Sequence, residues 1–473
     1  MTSARYARRT WCGLVVVAAL LATVLSFAPA VSAQDFDMST TDVSFTGSGG
    51  VVLHGTVIAP ATGRQPGAAI VLLGGSDWKV RADVRQHAEM FARLGLVTLT
   101  FDKRTIGYSK THRDYGVLAE DALGAVELLR SRPDVDPARV GLWGVSEGSW
   151  VAPLAASRSD HVGFVITVGA SGTGGARQTA WYQENVIRHQ GVSGSMPKTF
   201  AHNGTRLIVA LGLFPEADYK PAPVLERVHQ PLLALWGEYD ISHPPQEGSR
   251  VVADALERGG NRDYAIEFVP GGGPDLEATS ERGYNTLTQL APQYPELVGR
   301  WLTALAEGRR DVVVESPPPQ DRQTEALPPL AWYESLWAQG FALVLFLVAF
   351  AAYPLAGLVS RIRRRRALSP VRGQARVLVA TGALAVTGFL GYFGLLQIIG
   401  MRHLGPLVLA RPIPWLVLQL LAVGMVLATV ATGLSWWRHR HETIGGDRLR
   451  LLLLLAAGAV FVPWAIYWGL LIP

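Results

Sequence analysis

A chain of 473 residues is longer than one ordinary domain, so two or more folded units are expected. Hydrophobic residues make up 49% of it and charged residues only 17%, which excludes an intrinsically disordered chain. The net charge of +5 averages two opposite regions, because the residues after 335 hold 13 arginines and two acids whereas residues 34–335 carry a net charge of −9. Since the folded part is acidic, nucleic-acid binding is not expected.

The first 33 residues have the pattern of a secretory signal peptide. Three arginines precede an apolar run from Gly13 to Phe27, and small residues precede a cleavage point after Ala33. An uncleaved N-terminal membrane anchor is the alternative. The only cysteine, Cys12, lies in this segment, so disulfides, Cys-ligated metals and thiol nucleophiles are excluded from the mature protein.

From residue 34 to residue 308, short β-rich runs alternate with helical segments. Continuous apolar strands separated by helices predict one α/β domain with a mainly parallel sheet and helices on both faces. The predicted strands are Val51–Ile58, Ala69–Leu73, Val97–Phe101, Val140–Trp143, Phe164–Val168, Leu232–Trp236 and Ala265–Val269, and the main predicted helices are Val84–Leu94, Val117–Arg130, Val151–Ala156, Gln246–Glu257 and Pro295–Ala306.

The last third of the chain has the composition of a membrane region. Residues 309–335, rich in proline and charge, predict an extended linker. Four apolar runs of membrane-spanning length follow, at about Leu336–Val359, Val377–Ile399, Ile413–Trp436 and Leu451–Ile472, so residues 336–473 predict an all-α region of four transmembrane helices.

Arginines in the connections between these runs predict their orientation. The first connection holds seven arginines, the second two and the third four. This bias places the first and third connections in the cytoplasm and the preceding α/β domain on the extracytoplasmic side. The runs contain no Asp, Glu, Lys or Arg, which favours a membrane anchor, with self-association as a further option, over an ion pathway.

One motif in the α/β domain has the form of a nucleophile turn. Gly144-Val145-Ser146-Glu147-Gly148 gives the pattern G-x-S-x-G directly after a predicted strand and before a predicted helix. A nucleophile on such a tight turn needs small neighbours, because the backbone is strained and packs closely against adjoining elements.

Three stretches resemble the α/β-hydrolase family, in particular its exported esterases, peptidase-like hydrolases and acyl-thioesterase relatives. They are DVDPARVGLWGVSEGSWVAPLAA, VTLTFDKRTIGYS and AIVLLGGSD, and the resemblance extends over about residues 40–306. It implies that Ser146 is the nucleophile and that the backbone N–H groups of Ser76 and Glu147 form the oxyanion hole. It also implies hydrolysis of an ester, thioester or amide through an acyl-enzyme.

The family's acid and histidine are not equally recognisable. PLLALWGEYDISHPP places Asp240 at the end of a strand in the family's G-x-x-D arrangement, which implies that Asp240 is the triad acid. The family's histidine position, in EFVPGGGPDLEA, holds Pro274, which cannot accept a proton. Three interpretations stay open: a substitute histidine, an otherwise activated serine, or a fold that binds without cleaving. The candidate substitutes are His243, three residues after Asp240, and, with nothing to single them out, His87, His112 and His202.

Residues 172–229 form an insertion that predicts a small helical cap over the mouth of the site, suited to a hydrophobic acyl group. Ordinary helix packing is the alternative for its apolar side chains. No nucleotide or metal signature is present, so no cofactor or metal is expected.

The sequence as a whole predicts a membrane-tethered extracytoplasmic serine hydrolase with a small ester or acyl substrate. A catalytically inactive hydrolase fold that binds or senses a ligand is the second hypothesis. A third makes the membrane helices the functional part and the hydrolase domain their accessory.

Overall fold

The computed structural model describes residues 38–61, 66–309, 312–362, 371–441 and 446–473, so the predicted signal peptide lies outside the described residues. In chain order the elements are β1 (Met38–Thr46), β2 (Val52–Pro60), β3 (Gly67–Leu73), α1 (Arg85–Arg93), β4 (Val97–Phe101), α2 (Tyr115–Arg130), β5 (Val135–Val145), α3 (Gly148–Ala156), β6 (Phe164–Val168), α4 (Gly175–His189), α5 (Met196–Lys198), α6 (Gly204–Ala210), α7 (Ala222–Leu225), β7 (Leu232–Gly237), α8 (Pro245–Arg258), β8 (Tyr264–Val269), β9 (Glu277–Ser280), β10 (Asn285–Leu290), α9 (Gln293–Ala306), β11 (Val313–Val314), α10 (Leu336–Ile362), α11 (Arg372–Ile398), β12 (Leu407–Val408), β13 (Arg411–Pro412), α12 (Ile413–Arg438) and α13 (Gly446–Tyr467).

Nine strands form the central sheet, in the order β1-β2-β4-β3-β5-β6-β7-β8-β11. From β4 to β11 neighbouring strands are parallel, and β2 pairs antiparallel with β4. Strands of this kind are covered on both faces, so their residues are apolar without alternation. On β5, Leu142 packs into the core beneath α2 and α3, whereas Trp143 packs against Phe91 of α1 and Tyr294 of α9. The predicted fold class, an α/β hydrolase followed by four apolar helices, is confirmed.

Two strands of this sheet were not predicted. The residues of β1 are mostly polar and exposed, so its sequence lacks the apolar run that marked the other strands. The second, β11, falls within the predicted linker, where Val313 and Val314 pair in parallel with β8. Glu315 extends this contact, because its carboxylate accepts a hydrogen bond from the N–H of Phe268 at 3.0 Å. The start of the predicted linker is therefore part of the sheet.

The four C-terminal helices α10–α13 are each long and apolar enough to cross a membrane, as the sequence predicted. Aromatic side chains fill the centre of the bundle, where Phe346, Phe389, Phe461 and Trp464 are buried against one another. The outer surface is apolar as well, with Leu347 and Leu420 each 71% exposed. An apolar exterior around a packed core is the arrangement expected of helices that face lipid.

The α/β domain and the helix bundle share one apolar core at their junction. Val186 and Ile187 of α4, with Phe200 just after α5, are buried in the same cluster as Phe389 and Trp415 of the bundle. Polar contacts reinforce the junction, since Asn203 donates a hydrogen bond to the carbonyl of Tyr467 at 2.8 Å. The segment predicted as a cap therefore contacts the ends of the bundle helices.

Candidate active site

Ser146 lies on a sharp turn between β5 and α3, the position that the G-x-S-x-G motif predicts. Its φ of +53° is in the left-handed region, which is a strained conformation for a residue other than glycine. Side chains at Gly144 or Gly148 would collide with the backbone of the turn or of β3, which explains why both flanking positions are glycine. The turn is fixed to the sheet because the N–H of Ser146 donates to the carbonyl of Val168, at the end of β6, at 3.1 Å.

The loop after β3 passes beside Ser146. A Cβ on Gly75 would lie only 3.3 Å from the Cβ of Ser146. Lys103 donates a hydrogen bond to the carbonyl of Gly75 at 2.7 Å. This carbonyl and the N–H of Ser76 belong to the same trans peptide group, in which C=O and N–H point in opposite directions. The N–H of Ser76 is therefore directed away from Lys103. Among the described residues, the N–H groups of Ser76 and Glu147 have no hydrogen-bond partner. These two N–H groups remain the predicted donors of the oxyanion hole.

The side chain of Glu147 has a structural role that the sequence did not reveal. Its buried carboxylate accepts hydrogen bonds from Lys103 at 2.7 Å, Tyr108 at 2.8 Å and Arg113 at 2.9 Å. Burial raises the pKa of Glu147, but Lys103 and Arg113 lower it, so that the net pKa lies below its usual range. Lys103 thus ties the turn of Ser146 to the loop of Gly75, and the stretch VTLTFDKRTIGYS supplies both Lys103 and Tyr108.

Asp240 and His243 form a buried pair in the loop after β7. Asp240 Oδ2 lies 3.0 Å from His243 Nδ1, and its other oxygen accepts the backbone N–H groups of Ser242 and His243, each at 2.8 Å. Burial lowers the pKa of His243, but the charge of Asp240, its hydrogen bond and the charge of Asp275 raise it, so the net pKa lies above its ordinary value. The acid and the histidine are therefore assembled within one short loop.

The ring of His243 rests on Gly169, the residue that follows β6. Gly169 has a φ of +63°, and any Cβ there would collide with the imidazole. Its neighbour Val168 accepts the N–H of Ser146, so the imidazole lies at the end of β6, the strand between β5 and β7. In the part of the chain that the structure describes, Ser146 Oγ and His243 Nε2 have no hydrogen-bond partner.

The loop after β8 supplies a carboxylate instead of the family's histidine. Pro274 is buried there, and the next residue, Asp275, is half-buried. Burial raises the pKa of Asp275 to about 6, with Asp240 and Asp77 also raising it and His243 lowering it. Asp275 was missed by the sequence analysis, although it directly follows the position where the histidine was sought.

The three other candidate histidines lie elsewhere. His87 is buried between α1 and β5, with its ring 4.7 Å from that of Trp143, and burial lowers its pKa to about 3. His112 is exposed in the loop before α2. His202 lies in the segment that contacts the bundle, with Nε2 3.1 Å from Glu184. Only His243, among the candidate histidines, lies next to Asp240.

Parts of the chain are similar to known proteins. Residues 123–278, which include the Ser146 turn, Asp240, His243 and Asp275, match the family described as BAAT / Acyl-CoA thioester hydrolase C terminal. Thiohydrolase apmlB of Arthrinium phaeospermum is 31% identical over 130 residues, which are 27% of this chain and 41% of that protein. Thiohydrolase aneE of Aspergillus aculeatus is 32% identical over 131 residues, 27% of this chain and 40% of that protein.

The chain thus spans about two fifths of the length of these two relatives. A solved structure that is similar to the α/β domain is the alpha/beta hydrolase GrgF of Penicillium sp. sh18, with 20% identity and a TM-score of 0.39 over 57% of this chain and 98% of that one.

Proposed function

We propose that this α/β hydrolase is a membrane-tethered serine hydrolase that cleaves an ester or thioester through an acyl-enzyme on Ser146. The observation that carries the proposal is the position of the His243 imidazole, bonded to Asp240 and resting on Gly169 at the strand end beside Ser146. A nucleophile, a base and an acid are the three groups that acyl transfer needs.

In the first step, His243 Nε2 takes the proton of Ser146 Oγ as the oxygen attacks the acyl carbon. Asp240 holds Nδ1 and stabilises the imidazolium that forms. The N–H groups of Ser76 and Glu147 stabilise the oxyanion, and one such donor is worth about 3–4 kcal/mol. The imidazolium then protonates the leaving alcohol or thiol, and a water molecule, deprotonated by His243, hydrolyses the acyl-enzyme.

The family match and the thiohydrolase relatives favour a thioester among the possible substrates. The four apolar helices also favour an acyl thioester as the substrate. They would hold the α/β domain at a membrane, into which long-chain acyl compounds partition.

The proposed location is the extracytoplasmic side of the membrane. Support comes from the connection between α11 and α12, which holds only two arginines. The α/β domain contacts this connection, because the N–H of Ser193 donates a hydrogen bond to the carbonyl of Ala410. Arginine-poor connections are typical of the extracytoplasmic side. At the same end of the bundle, Trp332 and Trp337 are 82% and 89% exposed, as is typical of side chains at a membrane interface.

The test is turnover of a short acyl thioester by the full chain in detergent micelles, with thiol release as the readout. We expect Ser146→Ala to abolish the turnover that the unsubstituted chain shows while leaving its melting temperature unchanged within about 3 °C. A folded, unsubstituted chain that releases no thiol and no alcohol from thioesters or esters contradicts the proposal.

The second candidate is a hydrolase fold that binds a ligand without cleaving it, which the presence of Pro274 in the histidine position favours. This hypothesis predicts saturable binding of a non-hydrolysable acyl thioether in the absence of turnover. The intact Asp240–His243 pair favours catalysis over it.

A further inference from the structure

Helix α4 contacts the loop of Asp240 and His243 with one face and the membrane bundle with another. Asn185, 8% exposed, lies on the first face and donates a hydrogen bond from Nδ2 to the carbonyl of Ile241 at 3.3 Å. The adjacent Val186 and Ile187 are buried in the apolar core shared with the bundle. A single helix therefore connects the loop of the proposed base with the ends of the membrane helices.

Two partners, a hydrogen-bond donor and a hydrogen-bond acceptor, hold the amide of Asn185 in one orientation. Its Oδ1 accepts a hydrogen bond from the guanidinium of Arg322, in the segment between β11 and α10. A guanidinium only donates and a backbone carbonyl only accepts, so the Nδ2 group must face Ile241. Arg322 is itself 3.8 Å from Glu184, whose carboxylate is bonded to Arg188 and His202. The donor is thus preset by a charged network.

The bonded carbonyl belongs to the residue directly after Asp240 and two residues before His243. The same four residues carry the Asp240 hydrogen bonds to Ser242 and His243. A shift of this loop moves the imidazole relative to Ser146, and displacements of about 1 Å in a catalytic geometry can reduce rates by up to about 100-fold.

We propose that Asn185 is a positioning residue, which holds the loop of Asp240 and His243 against helix α4 and so sets the position of the proposed base relative to Ser146. This inference rests on the proposed function, since it assigns Asn185 a role only through His243.

The experiment measures the rate of fluorophosphonate labelling of the full chain in detergent micelles as a function of pH. Asn185→Asp keeps an acceptor for Arg322 but replaces the donor to Ile241, and Asn185→Ala removes both contacts. The matched control is Gln190→Ala, which removes the hydrogen bond from Gln190 to the carbonyl of Met401, a contact between the same region and the bundle that does not touch the loop.

We expect both Asn185 variants to be labelled about 10- to 100-fold more slowly, with an altered midpoint of the pH profile, and Gln190→Ala to change the rate less than about twofold. Melting temperatures identify variants that fail to fold. In that case Arg322→Ala provides a second measurement, because it removes only the partner of Asn185 Oδ1 and should reduce the labelling rate less than the Asn185 variants do. Labelling of folded Asn185 variants at the control's rate and pH profile overturns the inference while the proposed function stands. Absence of Ser146-dependent labelling in the unsubstituted chain overturns both.

Discussion

The loops after β7 and β8 differ from the pattern that the α/β-hydrolase resemblance implies, in which the acid follows one strand and the histidine follows the other. The β7 loop carries both Asp240 and His243, with Oδ2 and Nδ1 3.0 Å apart, whereas the β8 loop offers Pro274 and Asp275. Acyl transfer needs an imidazole between a nucleophile and an acid, and under the proposed function the residue three positions after Asp240 provides it. Pro274 at the family's histidine position is therefore not by itself evidence that the site lacks a base.

The largest expected effect is that of removing the base from the β7 loop. His243→Gln keeps a polar side chain beside Asp240 but cannot accept the proton of Ser146, so kcat/KM should fall by about 10⁴-fold or more. Thioester turnover measures it, with His87→Gln as the control in the core. A fall of less than tenfold would assign the base to another group, Asp275 first among them.

A somewhat smaller loss is expected from the acid of the same loop. Asp240→Asn retains the size of the side chain but loses the charge that stabilises the imidazolium and favours the reactive tautomer, so kcat should fall by about 10³- to 10⁴-fold. The same assay reports it. A variant as active as the unsubstituted chain would separate Asp240 from the chemistry.

Gly169→Ala tests whether the His243 imidazole packs against Gly169, at the end of β6. The new Cβ collides with the His243 ring, and the residue must hold a φ of +63°, so we expect at least a tenfold loss of turnover and a loss of unfolding free energy of about 1–2 kcal/mol. Gly260→Ala is the matched control, because Gly260 has a φ of +78° with no atom within 4 Å. It should lose similar stability and no activity. Equal activities of the two variants would contradict this placement.

The smallest effect belongs to the β8 loop, and it is an effect on pH dependence. The raised pKa of His243 keeps its imidazole protonated at pH values where a free histidine is already neutral. A protonated imidazole cannot act as a base, so the acid limb of the rate profile should lie above pH 6.5. Asp275→Asn removes a charge that raises this pKa and should move the limb to lower pH, with the rate near pH 9 changed less than about threefold. A limb that stays in place would show that Asp275 does not act on His243.

Much of the fold and part of the site follow from the sequence. Strands such as β6, predicted at Phe164–Val168 and found there, are short apolar runs between helices, and this pattern is set by burial on both faces of a parallel sheet. The position of Ser146 after such a strand is likewise predictable, because the turn geometry requires glycines around it.

Other features depend on tertiary contacts that leave no local pattern. His243 could be named as the candidate nearest to Asp240 in sequence, but its hydrogen bond to Asp240 and its packing on Gly169 appear only in the structure. Two valines in a proline-rich stretch give no sign that they extend a sheet as β11. Similarly, the sequence leaves open whether the apolar side chains of 172–229 form a cap or ordinary helix packing, and only the structure shows that Phe200 packs against the four-helix bundle.

The central claim is that Ser146 is a nucleophile activated by His243. It is tested most directly by reacting the full chain with a fluorophosphonate and mapping the adduct by peptide mass spectrometry, with His243→Gln in parallel. The account predicts one adduct, on Ser146, that forms rapidly in the unsubstituted chain and at least about 10³-fold more slowly in the variant. An adduct on another residue, or equal rates in the two proteins, would contradict it.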